Sequence, residues 1–130
     1  MDSKTVMLRQ QVIIEDYIRA YNNLDVDKML ENLHDEIIYT NSFLDNIDTH
    51  THGKPAFKSQ AESIISDFIT RRLLILTWTF SGAKVVVDLE YDALLNSAES
   101  ADYDEQFVDM NGFIEFWFRD FKIVYINSFV

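Results

Sequence analysis

The hydrophobic spacing of this chain shifts to a period of two at Arg71, and that shift confines it to folds that keep helices and sheet apart. Upstream, Ile14, Tyr17, Ile18 and Tyr21 fall at i, i+3, i+4 and i+7, one face of a helix that starts near Lys4 and is broken by Asn22-Asn23. Asp25 can cap a second helix, in which Val26, Met29, Leu30 and Leu33 repeat the spacing. Lys28 stands where a capping box would want Glu, so a single cap is expected. Glu36 to Asn41 is rich in Ile, Tyr and Thr and predicts a strand; residues 42–53 read as a polar loop ending in Gly53. Pro55 suits the first turn of a third helix with Phe57, Ala61, Ile64, Ile65 and Phe68 on its apolar face.

Beyond Arg71, Leu74, Leu76, Trp78 and Phe80 alternate with Ile75, Thr77 and Thr79, and Ser81-Gly82 turns the chain. Val85, Val87, Leu89 and Tyr91 then alternate with Val86, Asp88, Glu90 and Asp92, which gives an inside and an outside. Asn96 to Gln106 is acidic and Ser/Ala-rich, the composition of a mobile hairpin loop. Asn111-Gly112 reads as a turn or bulge at the start of the next strand. Ile114, Phe116 and Phe118 alternate with Glu115, Trp117 and Arg119, and Lys122 to Val130 forms a closing strand. The expectation is one α+β domain over residues 1–130, with helices packed on one face of a curved antiparallel sheet.

A chain of 130 residues can bury roughly 65–70% of its unfolded surface. Ten Phe, six Tyr and two Trp exceed what such a core requires, and a pocket or an oligomer interface is the usual destination of the surplus. A net charge of −11 argues against nucleic acid and against anionic membranes, both of which need clustered Lys and Arg. Cysteine is absent, which removes disulfides and thiolate chemistry. The opening MDSKTVMLRQQ is too polar for a signal peptide and no apolar run approaches ~18 residues, so a cytoplasmic protein is expected.

Residues 12–41, VIIEDYIRAYNNLDVDKMLENLHDEIIYTN, resemble the opening of the nuclear transport factor 2-like superfamily. The marks are the run Tyr17-Ile18-Arg19-Ala20-Tyr21-Asn22, the helix start Asp25-Val26-Asp27 and the strand entry Asp35-Glu36. The final stretch GFIEFWFRDFKIVYINSFV is similar to the closing hairpin of the same superfamily, which includes ketosteroid isomerases and SnoaL-like polyketide cyclases. The resemblance implies a cone-shaped, cystatin-like roll of three N-terminal helices on a strongly curved antiparallel sheet, with a ligand between helix 1 and the sheet.

It also implies where chemistry would sit. Ketosteroid isomerases use a helix-1 tyrosine, a protonated acid on a late strand and a carboxylate at the end of the first strand. Those roles fall on Tyr17, Ile114 and Asn41. An amide has no useful basicity near pH 7 and an isoleucine donates no proton, so isomerase activity by that mechanism is not expected. Limonene epoxide hydrolases need an Asp-Arg-Asp arrangement, and no inward-reading strand position carries Arg, since Arg119 alternates outward. In SnoaL-like cyclases the acid/base groups vary and can come from the first loop.

Each candidate has an ordinary alternative. Tyr17 is a ligand donor or a core tyrosine, and Asn41 orients a ligand or pairs with nearby backbone. Trp78, Tyr91 and Phe116 line a pocket, with Ile114, or pack in the core. His50 or His52, with Asp109 as partner, could act as a general base. The same histidines with Asp45 or Asp48 suggest metal ligands, but no spacing completes a zinc site, so neither metal nor cofactor is expected. Acidic residues 99–105 lack the Gly-containing turn of a calcium loop. Outward-reading Phe113, Trp117, Tyr125 and Phe129 suggest a homodimer through the sheet face. Three functions stay open: a small-molecule-binding module for an apolar or aromatic ligand; a lyase, cyclase or isomerase using a loop histidine; and a dimeric interaction scaffold with a filled cone.

Overall fold

Helix α1 (Ser3–Asn22) lays Ile14, Tyr17 and Ile18 against a six-stranded sheet, and the spacing of those residues is what orients it. The computed structural model describes residues 2–43, 46–96 and 107–130. Asp2 caps α1 by accepting from the Thr5 N–H at 2.8 Å, and Asp25 caps the short α2 (Val26–Glu31) by accepting from the Lys28 N–H at 3.2 Å. Strands β1 (Leu33–Phe43) and β2 (Asn46–His52) form an antiparallel pair that leads into α3 (Lys54–Ile65). Gly53, at φ +88°, makes the turn into α3, a conformation that L side chains rarely adopt, and Pro55 fills the first helical turn. Strands β3 (Phe68–Ser81), β4 (Lys84–Leu95), β5 (Phe107–Arg119) and β6 (Lys122–Ser128) complete the sheet in the order β2-β1-β6-β5-β4-β3. Every pairing is antiparallel except that of β1 with β6, which run parallel.

The core lies between this sheet and the helices: Val85, Val87 and Leu89 of β4, Ile114 and Phe116 of β5, and Ile123 and Ile126 of β6 meet Ile14, Tyr17 and Ile18. Burying a side chain such as Phe116 stabilises the fold by about 1.5–3 kcal/mol. The alternation of β4 is as expected, with Val85, Val87 and Leu89 inaccessible to solvent.

The structure departs from the sequence expectations at five places, the first of which is Leu33: read on the second helix, it opens β1 because α2 ends at Glu31. Residues 46–52, read as loop, form edge strand β2; its polar Asp-Thr-His-Thr-His run carries no apolar alternation because it lies at the margin of the sheet. Strand β3 begins at Phe68, which therefore is not part of α3, and a bulge between Ile75 and Thr77 reverses its parity. Leu73 and Ile75 consequently face inward ahead of Trp78 and Phe80, while Leu74 and Leu76 stand out, 44% and 51% exposed. Asn111-Gly112 is neither turn nor bulge: both pair in register with Glu90 and Leu89 inside β5. Gly112 is needed because a Cβ there would collide with Val130 and the Phe129 backbone, which cross directly over it. The acidic segment 97–106 and Asp45 lie outside the described residues.

Candidate functional site

The C-terminal turns of α1 and the start of β3 are tied together by side chains rather than by packing alone. The Asn22 amide donates to the Leu73 carbonyl at 3.2 Å and accepts from the Leu73 N–H at 2.8 Å. Two residues earlier on the same face of β3, Arg71 donates from Nε to the Tyr21 carbonyl at 2.8 Å and lays its guanidinium 3.6 Å from the centre of the Tyr21 ring. The Phe68 ring lies 5.3 Å from the guanidinium, and Met29 Sδ accepts from Nη2 at 3.7 Å. Arg71 is 4% exposed.

These contacts frame a hollow between α1, α3 and the β1–β2 end of the sheet. Tyr17 and Tyr21 line it from α1, Tyr39 and Asn41 from β1, Thr49 from β2, Phe57, Gln60 and Ile64 from α3, and Arg71 from β3. Its cavity is small, about 70 Å³. A smaller gap behind it is walled by Leu73, Ile114, Ile126 and Ser128, and Tyr17, Tyr21 and Tyr39 divide the two. The tyrosines are held by their rings: Tyr17 meets Phe116 edge-on at 5.9 Å, and Tyr39 meets Phe57 edge-on at 5.5 Å.

Burial governs the protonation of these phenols. Desolvation raises Tyr17 well above the ordinary tyrosine range, reinforced by Tyr39 and Tyr21 and opposed by Arg71. Tyr21 is raised for the same first reason, and Tyr39 is pushed up to about 12. All three are neutral hydrogen-bond donors at neutral pH. Asn41 donates to the Tyr39 hydroxyl at 3.2 Å. The residues that line the hollow include no carboxylate and no imidazole among those described.

The residues singled out by the sequence separate into those at the hollow and those outside it. Tyr17 and Asn41 line it, and Ile114 lines the gap behind. Phe116 is fully buried and serves as the support of Tyr17. Tyr91 faces inward opposite Leu73 but is not in the wall, and Trp78 stacks on Phe80 beside a shallow groove between α1 and β3. His50 and His52 are turned away, because β2 presents Thr49 to the hollow and alternation puts the histidines on the other face. His50 contacts Thr40 Oγ1 at 3.2 Å and His52 contacts Glu36 at 3.2 Å, both exposed. Asp109 is exposed and pairs in register with Asp92 on the outer face. The structure therefore does not assemble a histidine–aspartate pair at the hollow.

Arg71 corrects the expectation that no inward strand position carries arginine. Nothing in the sequence signals it: Arg71 shares the parity of Leu73, which reads as outward until the bulge after Ile75 is known. Tyr21 and Tyr39 were legible only as members of an apolar face and a strand. No group of three or more His, Asp or Glu suited to a metal occurs among the described residues, and no helix among them is long and apolar enough to cross a membrane.

The sequence model of the SnoaL-like domain matches residues 14–126. No curated protein sequence matches the chain. Among solved structures, it is similar to a polyketide cyclase candidate from Xanthomonas campestris pv. campestris, at 19% identity over 95% of this chain and 90% of the other, with a TM-score of 0.77. It is also similar to a cystatin-fold protein from Novosphingobium aromaticivorans, at 13% identity over 93% and 97% of the two chains and a TM-score of 0.74. A protein with a ketosteroid isomerase-like fold from Catenulispora acidiphila, in complex with trimethylamine, aligns at 9% identity over 91% and 84%, with a TM-score of 0.74. At these identities the likeness is one of fold.

Proposed function

The chain belongs to the SnoaL-like domain family, and we propose that its cone is a binding site for a small apolar or aromatic molecule. The observation that carries this reading is the hollow itself, walled by three neutral tyrosines, Asn41 and Arg71 at the junction of α1, β1 and β3. Its narrowness favours a flat molecule of one or a few rings over a bulky one. Tyr17 and Asn41 supply polar contacts, and the rings of Tyr21, Tyr39 and Phe57 supply apolar walls.

Binding is preferred to catalysis on the chemistry of the wall. The similar Xanthomonas campestris protein is described as a polyketide cyclase candidate, and a cyclase needs a group that moves a proton. None of the described lining residues titrates near neutral pH, and the loop histidines face elsewhere. The test is mass spectrometry of small molecules that co-purify with the protein. Recovery of a compound from the wild type and its loss from Tyr17→Phe supports the site; equal recovery from both removes Tyr17 from it.

We also propose that two copies pair through the outer face of the sheet. Phe113 stacks on Phe129 at 4.4 Å and Trp117 meets Tyr125 edge-on at 5.0 Å on that face, and exposed Leu74 and Leu76 lie two strands away on β3. Removing such a patch from water contributes about 25 cal/mol per Å² of apolar surface.

A further inference from the structure

Among the described residues, Arg71 is a buried cation without an anion. A guanidinium stays charged at any pH the protein meets, and burying it costs several kcal/mol unless an opposite charge is supplied. Its partners here are a carbonyl, a thioether, the Tyr21 hydroxyl and two aromatic faces, all uncharged. The chain carries 22 Asp and Glu, yet no described carboxylate pairs with Arg71. The contrast with its neighbour is direct: Arg72, on the outer face, pairs with Asp92 at 2.9 Å. The described residues thus leave the charge of Arg71 uncompensated where the hollow begins.

Of the other polar groups of the wall, the phenols share this donor sense, while Asn41, Thr49 and Gln60 carry an acceptor as well as a donor. Tyr17 and Tyr39 keep their protons; the Tyr39 hydroxyl already accepts from Asn41 and shares a hydrogen bond with Ser128, which leaves Tyr17 as the phenol turned to the hollow without a described hydrogen-bond partner. The Arg71 guanidinium and the Tyr17 phenol both face this space, which suits a ligand that brings acceptors to them.

Resting on the reading that the cone binds a ligand, we infer that this ligand is an anion, a planar aromatic carboxylate whose oxygens pair with Arg71 while its ring lies among Tyr21, Tyr39 and Phe57. A carboxylate matches the fork of a guanidinium better than any single-oxygen anion does. The net charge of −11 repels anions at long range, so selectivity for one rests on these local contacts.

The test is a ligand-observed NMR titration of the full chain with benzoate, benzamide and benzylamine, which share a shape and differ in charge. Benzoate is expected to bind about tenfold or more tightly than benzamide, and benzylamine is expected not to displace it. Arg71→Met should bring benzoate down to the level of benzamide, with far-ultraviolet circular dichroism reporting the fold, and Arg71→Lys should restore part of the preference. If benzamide binds as well as benzoate, or benzylamine displaces it, or folded Arg71→Met keeps the preference, the anion inference is overturned while ligand binding stands. If none of the three probes binds saturably, the binding reading itself fails. Should Arg71→Met not fold, the wild-type comparison of the three probes still decides.

Discussion

Asn22 pairs with Leu73 as one strand pairs with another, its amide both donating to and accepting from the same residue's backbone at 3.2 and 2.8 Å. One side chain therefore holds the end of α1 at a fixed height on β3, and with it Tyr21 against Arg71. Asn22→Ala removes two hydrogen bonds and leaves a part-buried N–H without its partner. The expected loss is about 2–4 kcal/mol in urea unfolding. A loss below about 0.5 kcal/mol would mean that packing of α1 alone sets the junction.

Gly112→Ala should destabilise the protein by about 1–3 kcal/mol, because the added methyl must displace Val130 and the Phe129 backbone. Phe129 donates its N–H to the Phe113 carbonyl at 2.9 Å, and that amide should lose hydrogen-exchange protection in the variant. Unchanged protection at Phe129 would contradict the crossing described.

Stability should fall steeply under alkali. Tyr39 titrates at about 12 when folded and near 10.0 when exposed, so the unfolded chain releases its proton first. The stabilisation from its burial in neutral form is complete below pH 10 and is lost as pH rises through 12, at roughly 1.4 kcal/mol per pH unit. Tyr17 and Tyr21, raised further, extend the same slope. Ultraviolet absorbance of tyrosinate should rise together with loss of helix circular dichroism; ionisation of every tyrosine near pH 10 without unfolding would refute the buried cluster.

The proposed dimer makes a separable prediction. The wild type should sediment as a dimer at micromolar concentration, and Phe113→Lys should weaken association by at least tenfold while leaving benzoate binding in the cone intact. A wild type that is monomeric at tens of micromolar removes the sheet-face pairing.

Much of this fold could be read from spacing, because the second half of α1, from Ile14 to Tyr21, and strand β4 each follow a single period. What could not be read has local causes. Strand β2 has the sequence Asn-Ile-Asp-Thr-His-Thr-His with one apolar residue, so hydropathy carries no sign of it. The bulge after Ile75 adds one residue and exchanges inside for outside, which put Leu74 and Leu76 on the wrong face. For the site, Tyr17 and Asn41 were found because the resemblance supplied their places, whereas Arg71 was passed over as the first residue of a strand. The histidines were legible as chemistry but not as direction, since their facing follows from pairing with β1.

The parallel pairing of β1 with β6 has a consequence for synthesis. The β1–β2 hairpin touches the rest of the sheet only through residues 122–128, the last of its strands to leave the ribosome. Until then the nascent chain holds two incomplete half-sheets, and β1 has no partner on the edge away from β2. Assembly of the sheet therefore waits on β6, and a chaperone that shields the open edge of β1 would raise the yield more than one that acts on the β3–β4–β5 meander.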